Sequence, residues 1–271
     1  MAGSNPEFLL RTVSGLLIAG GVVGGIYFGG WVWFSIASLL ALLSLAEYYR
    51  MVGKHMKLSR GIGYLCALAV LLSGTGGVLR PMTVVITLVL SAYAILMIEM
   101  WRRQLTGQSS GASNVGGTLS GVLLIVVPWM CIVLLRYFPT GTLILVTLFA
   151  CTWGCDVMAY LVGRRWGQNQ LCEQISPRKT WEGFIAGAVG SMFVNAAVIY
   201  FLEQPPYPLF IIGLICGVAG QFGDLAESLI KRELGEKDSG HLIPGHGGVL
   251  DRFDSILLNG ILTYLIFEVL L

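Results

Sequence analysis

The sequence predicts an all-α integral membrane protein of about nine transmembrane helices, with a cytoplasmic N-terminus and the C-terminus outside. Three observations predict it. Only 12% of the 271 residues are charged and 55% are hydrophobic, whereas a soluble domain carries about 25% charged residues. The apolar residues gather in runs close to the ~20 residues that one helical crossing of a bilayer requires. The basic residues collect in alternate gaps between those runs, as retention of Lys and Arg on the cytoplasmic side demands.

The runs lie near 12–30, 31–46, 61–79, 82–100, 117–135, 141–162, 183–202, 208–226 and 255–271. Each is assigned one helix. Gly29-Gly30 separates the first two as a tight hairpin or a break in one long helix, and the last run is at the short end of the range. With the N-terminus inside, all but two (Arg80 and Arg136) of the 17 Lys and Arg fall on the cytoplasmic side. Met1–Phe8, MAGSNPEF, reads as a cloning remnant, and no cleavable signal peptide is evident. Residues 9–140 form an N-terminal group of membrane helices. Residues 141–271 form a C-terminal group carrying two cytoplasmic loops, 163–182 and 227–254.

The six cysteines read as small hydrophobes, not as a disulfide framework. Cys151 and Cys155 share a helix face but lack the second Cys/His pair of a zinc site. Gly20/Gly24, Gly21/Gly25, Gly183/Gly187 and Gly213/Gly217 have the spacing that lets helices approach closely. Such faces serve internal packing or a subunit contact, which leaves a homodimer open. Nothing in the sequence points to nucleic acid.

Ionisable groups in membrane helices are costly and need a reason. Asp156 lies deep in the sixth run, Asp224 near the end of the eighth, and Asp251 and Asp254 open the ninth on one helical face. Either of the last two could simply cap a helix, and Asp224 could pair with Lys231. The segment 223–254, GDLAESLIKRELGEKDSGHLIPGHGGVLDRFD, mixes acids, bases, His and Gly in a way a solvated loop does not need. Its Gly245-His246-Gly247-Gly248 run, just ahead of a helix, suits an anion nest. Carboxylates flanked by Lys and Arg suit Mg2+ and phosphates.

Ser228-Leu-Ile-Lys231-Arg232, then Lys237-Asp238, then Pro244-Gly-His246-Gly247-Gly248-Val-Leu-Asp251-Arg252-Phe-Asp254 resembles the signature of the phosphatidate cytidylyltransferases, with no departure from it. A second block, Asp156-Val-Met-Ala-Tyr160-Leu-Val-Gly163-Arg164 followed by Ser176-Pro-Arg178-Lys179-Thr180-Trp-Glu182-Gly183, is similar to the family's other cytoplasmic region. The N-terminal part resembles the family only in being hydrophobic.

The resemblance implies that CTP and phosphatidate give CDP-diacylglycerol and pyrophosphate at the cytoplasmic face of the inner membrane. It implies Mg2+ dependence and leaves room for an accessory K+. A phosphomonoester has a second pKa of about 6, so phosphatidate is already a nucleophile and the protein need supply no base. On this reading Asp224 and Asp251 bind Mg2+, with Asp254 as a further ligand or behind them. Lys231, Arg232, Lys237 and Arg252 hold the triphosphate. Arg178 and Lys179 reach the lipid headgroup or the nucleotide. Asp156, Tyr160, Glu182, Asp238 and His246 line or brace the pocket, as do Ser176, Thr180, Ser228, Gly247 and Gly248. His241 has a weaker claim, and Arg164 and Arg165 read as anchors to lipid headgroups.

Two other classes compete. A CTP-dependent lipid-alcohol kinase would need a catalytic base for a neutral hydroxyl. A transporter would spread its acids along the midplane and repeat a broken-helix pattern in both halves, which the sequence does not show. Neither an Asp-Gly-x-x-Ala-Arg run nor a phosphate-binding Walker loop is present.

Overall fold

The computed structural model describes residues 6–77, 80–203, 206–243 and 247–270, with side chains from residue 13 and from residue 208 at the starts of two helices. Ten α-helices follow one another: α1 (Pro6–Phe28), α2 (Gly30–Val52), α3 (Arg60–Ser73), α4 (Pro81–Thr106), α5 (Gly111–Gly121), α6 (Val127–Leu135), α7 (Gly141–Trp166), α8 (Trp181–Phe201), α9 (Pro206–Glu233) and α10 (Leu250–Leu270). A π-helical stretch, Val122–Val126, joins α5 to α6 in one continuous rod. Pro128 explains it. Proline has no N–H for the carbonyl four residues back and its ring crowds that carbonyl, so the preceding turn widens.

Among the described residues, seven helical segments are long and apolar enough to cross a membrane. The runs expected at 12–30 and 61–79 appear as α1 and α3. At 14 residues, α3 is about 21 Å long, shorter than the ~30 Å hydrocarbon core. Its end is set by Gly74-Thr-Gly-Gly77, where Gly77 takes a positive φ of 73°. Gly29, at φ 61°, turns the chain between α1 and α2.

The rod from Gly111 to Leu135 is the centre of the molecule. Of its apolar window 72% is buried, against 17% for α4 at the periphery. Trp129 packs edge-on against Phe253 of α10, and Trp33 of α2 against Phe149 of α7. Leu90, Tyr93 and Met97 of α4, and Val189, Phe193 and Tyr200 of α8, project outward, as side chains facing lipid tails should. Several expected small-residue faces are internal contacts: an added Cβ at Gly187 would come within 3.1 Å of Ala159, and one at Gly217 within 2.9 Å of Ala188. A Cβ added at Gly20, Gly21 or Gly24 would meet no atom of another element within 4 Å among the described residues.

One expected boundary needs correction, and the loop 163–182 has structure of its own. It holds an antiparallel hairpin of β1 (Gln170–Cys172) and β2 (Ser176–Thr180), with Gln170 opposite Thr180 and Cys172 opposite Ser176. The loop 227–254 is shorter than its polarity suggests, because α9 continues to Glu233. Glu227, Ser228, Lys231 and Arg232 are helical, and the connection to α10 is residues 234–249.

Candidate active site

α7 presents Asp156 and Tyr160, one turn apart, to a cavity of about 940 Å3. Arg164, a turn further on, donates to the Tyr160 hydroxyl at 2.8 Å. α8 crosses α7 closely because Gly163 and Gly183 face each other, and this brings the hairpin over the helix ends. Thr180 ends β2 and caps α8, accepting from Gly183 N at 3.2 Å. Lys179, its neighbour, reaches across to α9. It pairs with the Asp224 carboxylate at 2.8 Å and donates to the Gln221 carbonyl at 3.3 Å.

Glu182 does not enter the cavity. It accepts from the backbone N–H groups of Gln168 and Asn169 and from the Asn169 amide, and so clamps the turn into β1. Arg232 also braces the hairpin, donating from Nε to the Ile175 carbonyl at 3.1 Å. Ser176 opens β2 beneath that contact.

The other side of the site is the α9–α10 arm. Ser228 donates to Asp224 Oδ1 at 3.2 Å. Lys231 is buried, with its ammonium 3.1 Å from Glu227 and 2.8 Å from Asp251. Asp251 also accepts from Ser239 N at 2.9 Å and from Gly248 N at 2.8 Å. Gly248 lies three residues before Asp251, so this last bond is the reach-back of a helix cap. Two glycines make room for the arrangement. Gly247 has a φ of 86°, and a Cβ there would meet Asp251 at 2.9 Å. One at Gly248 would meet Ser239 Oγ at 2.1 Å. Lys237, Asp238 and His241 are exposed on the connecting loop. His246 lies outside the described residues.

The cavity is thus lined by Asp156, Tyr160, Arg164, Arg178, Lys179, Thr180, Asp224, Asp251, Arg252 and Asp254. Of the residues expected at the site it does not bring Lys231, Arg232, Lys237, Asp238, Ser176, Glu182, Ser228, Gly247 or Gly248 to the wall. Gly15, Ile18 and Ala19 of α1, with Phe184 and Phe253, add apolar lining to the same cavity.

The charge balance inside bears on a metal. Asp156, Asp224 and Asp254, from three helices, repel one another. Among the described lining residues the metal-ligating side chains are carboxylates, without His or Cys, and oxygen is the donor type that Mg2+ takes. Among the described residues no three acidic, His or Cys side chains form a ready-made cage. Mg2+ does not need one, because it is usually held by one or two carboxylates together with substrate phosphates. The residues therefore fit Mg2+.

Sequence reasoning missed Glu47, Glu227, Gln221 and Ser239. Glu47 and Glu227 carried a legible signal, since each is an acid within or at the end of an apolar run. Ser239 carried none. The division at residue 140 also fails to isolate the site, because α1 lines the cavity and Glu47 of α2 bonds to the α9–α10 connection.

A membrane helix bundle whose cavity joins apolar lining to acids and bases defines an integral membrane enzyme acting on anionic substrates. Comparison with known proteins makes the class specific. The model of the cytidylyltransferase family matches residues 9–270, and the chain belongs to that family. It is 34% identical over 251 residues to a phosphatidate cytidylyltransferase of Brucella abortus, covering 90% of this chain and 85% of that one. It is 31% identical to the chloroplastic phosphatidate cytidylyltransferase 5 of Arabidopsis thaliana, covering 96% and 72%. A phosphatidate cytidylyltransferase of Synechocystis is 44% identical over 129 residues, 47% of this chain and 44% of its own length.

Proposed function

We propose that this protein transfers the CMP group of CTP to the phosphate of phosphatidate, giving CDP-diacylglycerol and pyrophosphate. The single observation that carries the reading is one cavity lined both by charged residues and by apolar residues that include part of α1, inside a chain of the cytidylyltransferase family. A substrate with a phosphate head and acyl tails needs both kinds of lining.

In the reaction an oxygen of the phosphatidate phosphate attacks the α-phosphorus of CTP. The bond from that phosphorus to the β-phosphate oxygen breaks, and pyrophosphate leaves. No protein nucleophile takes part. The protein's task is to bring two anions together and align them. Arg178, Lys179 and Arg252 supply positive charge at the wall. Lys179 is placed to exchange its Asp224 partner for a phosphate oxygen. Mg2+, held by Asp224 and Asp156 with Asp254 beside them, would neutralise charge developing on the phosphates. Asp251 holds the arm on which Arg252 and Asp254 sit.

The site faces the cytoplasm of a bacterial-type inner membrane, with nine helical rods crossing in alternation and the C-terminus outside. Support comes from the helix ends. Arg50 bonds to the Ser239 carbonyl and Lys54 pairs with Glu236, while Arg60 and Arg102 line one surface cleft with Lys54. The basic ends of α2, α3 and α4 thus share the face that holds the α9–α10 connection. The test is to incubate the purified protein with CTP and phosphatidate, with and without Mg2+. The expected result is CDP-diacylglycerol and pyrophosphate only with the metal. A phospho-lipid made from a prenol instead would reassign the reaction to a kinase, and no turnover of CTP would remove it from the transferases.

A further inference from the structure

We propose that Glu47, in the N-terminal half of the chain, is a positioning residue for the reaction: it sets the arm carrying Asp251, Arg252 and Asp254. Glu47 sits in the last two turns of α2, 6% exposed, far in sequence from either motif block. Its Oε2 accepts from the N–H of Leu250, the first residue of α10, at 2.9 Å and from the Ser239 hydroxyl at 3.1 Å. The first N–H groups of a helix have no partner within it, so Glu47 caps α10 from another helix.

Ser239 makes this cap a control on the site. The residue is fully buried, and all three of its polar groups are used. The hydroxyl bonds Glu47, the carbonyl accepts from Arg50 at 2.6 Å, and the N–H donates to Asp251. Asp251 in turn holds Lys231. Glu47 and Arg50 are therefore joined to Asp251 through one residue, and Glu47 also fixes where α10 begins. Tight packing confirms that the carboxyl group has one place to go. A Cβ on Gly248 would lie 2.5 Å from Glu47 Oε2, and one on Gly240 would lie 2.3 Å from Oε1. Oε1 is buried with no hydrogen-bond partner among the described residues. A carboxyl held in that way is costly unless its position matters.

The inference rests on the reading that this arm serves the metal and triphosphate. Glu47→Ala, in the purified full-length protein, should raise the Mg2+ concentration for half-maximal activity and the KM for CTP by about tenfold. The KM for phosphatidate, whose acyl tails would meet the apolar lining of α1, should stay within about twofold. Glu47→Gln keeps an acceptor oxygen and should restore most of the Mg2+ response. Ser239→Ala should shift it in the same direction by less. An unchanged Mg2+ response in folded Glu47→Ala overturns the proposal, as does loss of folded protein with normal constants in the remainder. Asp251→Asn separates the two levels. If it too leaves the Mg2+ and CTP responses unchanged, the site reading fails; if it alone alters them, only the role of Glu47 fails.

Discussion

The two sides of the cavity use their acids differently. Asp251 is surrounded by donors: Lys231, Ser239 N and Gly248 N all point at its two oxygens. Asp156 and Asp224 line the same cavity and repel each other and Asp254, with Lys179 the ion-pair partner of Asp224. Asp251 is saturated by donors of the protein, whereas the crowded carboxylates repel one another, a repulsion that a bound cation would relieve. The family resemblance implies one role, Mg2+ binding, for Asp224 and Asp251, and their hydrogen-bonded surroundings differ.

The largest effect should break or establish that contrast. Asp224→Asn and Asp156→Asn should each reduce turnover by about a hundredfold or more. Asp156→Asn should leave thermal stability unchanged or raised, because it relieves repulsion, whereas Asp224→Asn should lower it slightly, because Lys179 loses its ion-pair partner. A fall in melting temperature with normal specific activity would put these acids on the structural side. Asp251→Asn should lower both quantities. Lys231 would keep only Glu227 as an ionic partner, and weakening a buried pair costs about 1–3 kcal/mol. Thermal unfolding in detergent and turnover on one preparation measure this. Combining it with Asp224→Asn should add the stability loss while scarcely reducing the remaining activity, since both serve one site.

Arg232→Ala should act more mildly. It frees the hairpin from α9 at Ile175, so the KM for either substrate should rise a few-fold while melting hardly changes. Faster proteolysis at the hairpin would identify the cause. The smallest effect lies at the solvent edge. The Lys54 ammonium holds the Glu236 carboxyl below its ordinary range. A depressed acid contributes stability above its unfolded pKa and loses it as pH falls through the folded value. Lys54→Met should therefore cost a small amount of stability at neutral pH and none at strongly acidic pH. High salt should shrink the difference, because the pair is exposed and screened. Melting curves across pH and salt would reveal it.

Much of the fold was legible because bilayer crossing imposes a length and a composition on each helix. The runs at 82–100, 117–135 and 183–202 became α4, the α5–α6 rod and α8 within a few residues. The boundary at 227 misled because Glu227, Lys231 and Arg232 look like loop residues. Lys231 neutralises Glu227 inside the helix, and a cytoplasmic helix end tolerates charge. The hairpin at 170–180 was hidden because its strands are short and polar, without the alternation that marks a strand.

The sequence by itself determined a helical membrane chain, the ends at which its charges gather, and the motif blocks that would meet. Those follow from transfer free energies and residue spacing, which are local. Tertiary structure alone decided that Lys231 is consumed by Glu227 and Asp251, that Glu182 and Arg232 hold the hairpin, and that Glu47 of α2 caps α10. Each of these depends on which donor lies within about 3 Å of which acceptor. Groups up to 203 residues apart in the chain meet at that distance only through the packing of the whole bundle.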